Sequence, residues 1–442
     1  MAATFGYFGT ESGRIRSVNL EDGTSTCYPV AENNGQYVAI EWLVSKGRLL
    51  YALVCYWKDR PGDLVEFRVL GDGSLKELAR VPSGGMQPCH AAFRPGGGGQ
   101  LGVSHYFGGC VSLFACSAKA PPQCLSRVHV GEHAHGIAWS ANHLLVAVAD
   151  KVGSVATLLA NDLAIEQIQN DATVSPMDHC GLIQDGICRL MGHRPRHLAF
   201  ASETSLLVLH ECANTLTLHT FDPVDGAVSP VLQSVSTLFD LPPPSWFCGI
   251  VNFHGPEPVH AAAELLCHST GRGIVAYVSN REICCGSSSV AAFAVSDLGL
   301  RPLGSPVETY RNPRHILLDE KRDRLLVGCT GKVMLFPFFD DGPAGLGEPK
   351  VLGLPSDEGS YGSRVLDCSA IVDVGGPPED HFEAELAAGL RDEATAGPRE
   401  EPVGGLQGGD PPAEVDAETK EEPTETPLAV EAAPAASPDG EA

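Results

Sequence analysis

Arginine, histidine and glutamate recur at the ends of strand-like runs in this chain. Arg196 and His197 open PRHLAF (195–200), Glu211 follows the apolar run SLLVL and His210, Arg281 closes YVSNR (277–281), and Arg314 with His315 ends NPRH (312–315). His90 ends PCH (88–90) and His135 ends HAH (133–135). These side chains suit the handling of an anion and the movement of a proton. A guanidinium is a permanently charged fork that matches a carboxylate, a phosphate or a developing oxyanion. A carboxylate with a suitably placed pKa acts as a general base, and an imidazole exchanges protons near neutrality.

The same residues have a plainer account. A Pro-Arg-His start can serve strand packing, with the imidazole bonded to a neighbouring backbone and Arg196 paired with Glu211, but a whole set of buried charges needs more reason than packing. His133 and His135 sit two apart, on one face of a strand, as a metal pair would; no convergent carboxylates accompany them, so no metal is assigned. Cys89 and Cys212 each stand beside a motif residue, and strand alternation turns them away from it into the core. His210 faces opposite to Glu211 and receives no role. The fifteen cysteines are odd in number, scattered and without any C-x-x-C pair, which reads as reduced thiols and excludes a structural zinc pattern.

These groups lie far apart in sequence, so the elements around them must bring them together. One pattern recurs: a short motif, a small-residue or apolar strand, a turn and a second apolar strand. Aligned on Val38, His90, His135, His197, His260 and His315, the repeats are separated by 52, 45, 62, 63 and 55 residues. Periods of that size, with three or four strands and Gly, Asp or Asn turns per unit, predict radial blades rather than a sandwich. Six internal units, plus a seventh shared between TFGYFGT and GRIRSVNL at the N-terminus and LDCSAIVDV at 366–374, predict an all-β, seven-bladed β-propeller over residues 1–375. Closure of the ring removes exposed strand edges, and the innermost strands then carry the repeated motif to one channel mouth.

The formal charge of −25 is uneven. From Gly376 onward there are 18 acidic against 3 basic side chains, and ten prolines. Residues 376–442 therefore read as a disordered acidic tail that aids solubility or docks an unknown basic partner. Nucleic acid is an unfavourable partner for so acidic a chain. The longest apolar runs, such as LLVAVA (144–149), are strand-length, so no membrane span is expected. The N-terminus shows no secretory pattern, which gives a cytoplasmic expectation.

The combination of PCH, PRHLAF, the Glu ending LVLHE, YVSNR and NPRH resembles the seven-bladed lactonase family, which includes propeller-type 6-phosphogluconolactonases and carboxy-cis,cis-muconate cyclases. The resemblance spans about residues 5–374. The chain departs from the family pattern at Glu132, at GTESG and at PGGGGQ (95–100). The resemblance implies a catalytic set of Glu211, Arg196, Arg281 and His135, with His90 as the competitor for the histidine position. His90, His197, Arg314 and His315 then hold substrate. Lactone hydrolysis needs an activated water, a donor at the carbonyl oxygen and a proton for the leaving alkoxide. Glu211, an arginine, and His135 or His197 would supply them in turn. The implied substrate is an anionic sugar lactone, 6-phosphogluconolactone in the pentose phosphate pathway, and the implied alternative is a muconate-type cyclisation. No P-loop or dinucleotide-binding glycine pattern is present, so no cofactor is expected. A non-catalytic propeller platform is the reading from another class, since propellers host both.

Overall fold

Strands buried along their whole length imply cover on both faces. Leu49–Cys55, Gln100–His105 and His143–Val148 are buried at every residue, whereas the peripheral strand Leu75–Pro82 is largely exposed. Sheets stacked face to face around an axis produce that gradient. The computed structural model describes residues 3–374 apart from 33–36, 57–59, 97, 150–152, 161–181, 190–193, 240–259, 272, 283–287, 297–298, 340–342 and 355–365. The expected disorder of the acidic tail at 376–442 concerns residues outside that set.

The strands form seven antiparallel sheets, six of four strands and one of five. This is the seven-bladed propeller the repeat predicts. The innermost strands of blades one to seven are Ala39–Lys46, Pro88–Phe93, Ala134–Trp139, Pro195–Ser202, His260–Thr270, His315–Asp319 and Leu366–Asp373. Each lies beside the innermost strand of the next blade, and the seventh lies beside the first. Seven apolar clusters fill the spaces between adjacent blades; Leu145, Val155, Leu206 and Val208, for example, join blades three and four.

Blade seven is built from both ends of the described chain. Thr4–Thr10 pairs with Leu366–Asp373, with Phe5 opposite Val372 and Tyr7 opposite Ala370. Thr4 Oγ1 donates to Asp373 Oδ1 at 2.7 Å. Asp373 also accepts Lys321 at 2.5 Å and Arg322 at 3.2 Å from blade six, and Arg48 of blade one donates to the Val374 carbonyl at 2.6 Å.

The feature that positions the site is a β-bulge near the start of five innermost strands. Register slips between Ile40 and Trp42, Pro88 and His90, Ala134 and Ile137, Pro195 and His197, and Ala262 and Leu265. A bulge re-aims side chains that simple alternation would bury. It also corrects the repeat alignment in two blades. The channel residue of blade one is Trp42, not Val38, and that of blade five is Glu264, not His260, whose carbonyl instead accepts Asn214 Nδ2 at 3.0 Å. Both shifts are four residues, because these blades carry no histidine at the bulge.

Blades three and four approach closely at this level. A Cβ on Gly136 would lie 2.4 Å from the Arg196 carbonyl oxygen and 2.7 Å from His197 Cα. Gly136→Ala is therefore expected to destabilise the fold by about 1–3 kcal/mol, as overpacking does, measured by denaturant unfolding. Ending the chain after residue 375 should leave the thermal midpoint unchanged. Ending it after 365 removes the closing strand and should abolish the cooperative transition; an intact transition in that variant would contradict closure through Leu366–Asp373.

Candidate functional site

Three blades place equivalent residues at the channel mouth. In blades two, four and five the second strand's partner to the residue before the bulge is His105, His210 and Asn280, and the next residues are Tyr106, Glu211 and Arg281. Arg196, in the bulge of blade four, reaches the same point. Arg196 Nη1 donates to Glu211 Oε1 at 2.6 Å, and Arg281 Nη2 donates to the same oxygen. The guanidinium groups are 8% and 9% exposed, the carboxylate 25%. The structure thus brings together three of the four residues assigned to catalysis from sequence, in an ion-pair cluster with its carboxylate facing solvent.

A second group is formed by one residue from each of blades one to six: Trp42, His90, His135, His197, Glu264 and His315. Trp42 packs against His90 with ring centroids 4.0 Å apart and against His315 at 4.7 Å. His197 lies 5.2 Å from both His90 and His135. Its Nδ1 is 3.0 Å from Glu264 Oε1, and His315 Nε2 is 3.6 Å from Glu264 Oε2. Arg314, a quarter exposed, points to Glu41 Oε2 at 3.3 Å, and Tyr37 donates to the other oxygen of that carboxylate at 3.5 Å. Sequence reasoning missed Glu41, Trp42, Tyr106 and Glu264. The signal for two of them was present, since each glutamate stands alone in an apolar strand, AIEWLV and HAAAELL, where a buried carboxylate demands a partner.

Electrostatics divide the groups sharply. Burial pushes the Glu211 pKa up, but Arg196 and Arg281 overcome it and hold the carboxyl at about 2. Burial, reinforced by Arg196, lowers Arg281 to about 10. Burial and the surrounding cations hold His90, His135 and His197 well below the ordinary imidazole range, and His315 falls to about 4 mainly through burial. His135 and His197 are therefore held as neutral imidazoles, so a proton given by either would come from its neutral ring N–H. Burial raises Glu264 to about 7, against the opposing pull of His315.

The groups given no role from sequence are accounted for. His210 Nε2 hydrogen-bonds Thr217 Oγ1 at 2.9 Å inside blade four. Cys89 is buried against the Ala134 carbonyl and its thiol is pushed up to about 12 by burial, as a packing role in the core requires. Cys212 is half-buried. Among the described residues no cluster of three or more His, Cys, Asp or Glu could hold a metal ion.

Comparison with known proteins agrees with this architecture. Residues 3–336 match the family model for "Lactonase, 7-bladed beta-propeller". Curated proteins gave no match. A candidate 6-phosphogluconolactonase of Bacteroides fragilis superposes with a TM-score of 0.59 at 18% identity, covering 84% of this chain and 98% of its own. The periplasmic gluconolactonase of Pseudomonas aeruginosa gives 0.60 at 17%, covering 84% and 100%. At such identities the two likenesses speak for the fold. The family match extends over most of the chain, and with seven blades closed on one another it establishes that this protein belongs to the seven-bladed β-propeller lactonase family.

Proposed function

We propose that the protein hydrolyses an anionic sugar lactone, 6-phosphogluconolactone, to the open hydroxy acid, in the cytoplasm and as a step of the pentose phosphate pathway. The observation that carries this reading is the convergence of Arg196 and Arg281 on the partly exposed Glu211 carboxylate, with Arg314, paired to Glu41, near enough to act on Glu211 electrostatically. Arg314, the most exposed of the three, takes the substrate's phosphate. Arg281 and Arg196 face the lactone carbonyl and hold its oxygen as negative charge develops there.

Glu211 has two states in this scheme. Clamped by both guanidinium groups it is too weak a base to take a proton from water. Once the substrate carbonyl and anion draw hydrogen bonds from the arginines, its proton affinity rises and it accepts a proton from the attacking water. The C1–OH bond forms, the ring C1–O bond breaks, and the leaving alkoxide takes a proton from a channel imidazole. Arg196 Nε and His135 Nδ1 are buried without a hydrogen-bond partner among the described residues, so polar capacity in this region is left for a ligand.

The test is hydrolysis of freshly generated 6-phosphogluconolactone with spontaneous opening subtracted. Arg281→Ala is expected to lower kcat about 10²–10³-fold, the range for loss of one oxyanion donor. Glu211→Gln should lower it by ~10²-fold or more. Arg281→Lys, which keeps the charge but not the fork, should recover only part of the rate. Circular dichroism of each variant separates lost chemistry from lost folding. A wild-type rate at background on phosphorylated and plain sugar lactones would sink the proposal and favour muconate-type cyclisation or a binding platform.

A further inference from the structure

Glu264, like Glu41, is a buried carboxylate that the scheme above leaves unused. It is 5% exposed and lies in the bulge of blade five. Its backbone N–H donates to Ser279 Oγ at 3.1 Å, which ties it to the neighbouring strand. Glu211 and Glu41 each meet a guanidinium, but Glu264 has no such partner within ion-pair distance among the described residues. Oε1 contacts His197 Nδ1 at 3.0 Å and accepts the Leu265 N–H at 3.1 Å; Oε2 makes no hydrogen bond and has His315 Nε2 at 3.6 Å. The other charged or titratable groups nearby are Arg196 and Glu211 from blade four, Arg281 from its own blade, Arg314 from blade six, and His90 and His135 beyond the His197 ring.

A carboxyl in such a place is cheaper to bury with its proton than without it. A neutral His197 that accepts at Nδ1 carries its hydrogen on Nε2, and Nε2 makes no hydrogen bond among the described residues. We propose that Glu264 stores the proton consumed by lactone opening and delivers it through His197, acting as a positioning residue behind that imidazole. This inference rests on the lactone-hydrolysis reading. In the step, His197 Nε2 gives its proton to the ring oxygen as the C1–O bond breaks, and the electron pair of that bond becomes the hydroxyl's lone pair. Nδ1 takes the proton of Glu264, leaving a carboxylate facing an Nδ1–H imidazole. The proton that Glu211 took from water leaves to solvent, and a solvent proton restores Glu264. Net proton release then equals that of hydrolysis to the carboxylate.

The experiment compares wild type, Glu264→Gln and Glu264→Asp in the full chain across pH. The wild-type kcat is expected to fall as pH rises through about 7, where Glu264 ionises. Glu264→Gln should lose ~10²-fold in kcat with KM unchanged and should lose that limb of the profile, and Glu264→Asp should restore part of both. A purely structural role would not remove a pH limb. The thermal midpoint gives a readout independent of activity. A folded-state pKa raised from 4.5 to about 7 contributes stability that is present below 4.5 and lost as pH rises through 7. The wild-type midpoint should therefore fall relative to Glu264→Gln between about pH 5 and pH 8. Parallel midpoints, or a Glu264→Gln enzyme with wild-type rate and profile, would overturn the relay while leaving lactone hydrolysis standing. A wild type without lactone hydrolysis would remove the parent reading and the relay together.

Discussion

Everything at the channel depends on the pairing of Thr4–Thr10 with Leu366–Asp373. Seven twisted sheets share an axis only if the last is joined to the first, and here one blade is shared between segments more than 350 residues apart. The closing blade is fastened by more than its ladder. Asp373 collects a threonine, a lysine and an arginine, and Arg48 reaches across from blade one to Val374. Remove that seam and the innermost strands no longer face one another, so the Arg196, Glu211 and Arg281 cluster, spread over two blades, loses its geometry as well as its burial.

With the ring closed, the channel faces an electrostatic problem that it solves three ways. A carboxylate out of water must be paired, hydrogen-bonded or protonated. Glu211 is paired twice and stays ionised to low pH. Glu41 is paired once, with Arg314, and bonded by Tyr37. Glu264 meets one backbone N–H and imidazoles that burial itself keeps neutral, with no guanidinium in ion-pair contact among the described residues, so its charge is opposed by too little and its pKa climbs to about 7. The same desolvation that lowers four histidines raises this one acid. The channel thereby holds permanently charged guanidinium groups beside neutral imidazoles and a carboxyl whose proton is easily lost.

The sequence makes the blades legible because histidine recurs where the innermost strand bulges. Arg196, Glu211 and Arg281 are legible as a set through the resemblance of PRHLAF, LVLHE and YVSNR to the lactonase family, while the repeat shows only that such strand ends share one channel mouth. Blades one and five escape the alignment because Trp42 and Glu264 occupy the position that histidine marks elsewhere, and Val38 and His260 stand four residues too early. The partners of the hidden carboxylates are also invisible locally: Glu41 meets Arg314 across 273 residues. The protonation of His135 and His197 cannot be read from residue type, because it depends on depth in the channel and on the guanidinium groups nearby.

A bulge explains how neighbouring residues can do different work. In a regular strand Arg196 and His197 would point to opposite faces, one of them into the core between blades. The slip between Pro195 and His197 lets the guanidinium reach Glu211 while the imidazole reaches Glu264. Repeated in five blades, the device delivers one or two chosen side chains per blade to the axis and leaves the rest of each strand free to vary for packing. A site assembled in this way depends on a handful of positions and on the ring that holds them. An architecture of this kind is compatible with a shared fold at 17–18% identity, because most of the chain is asked only to be apolar, strand-forming and closed.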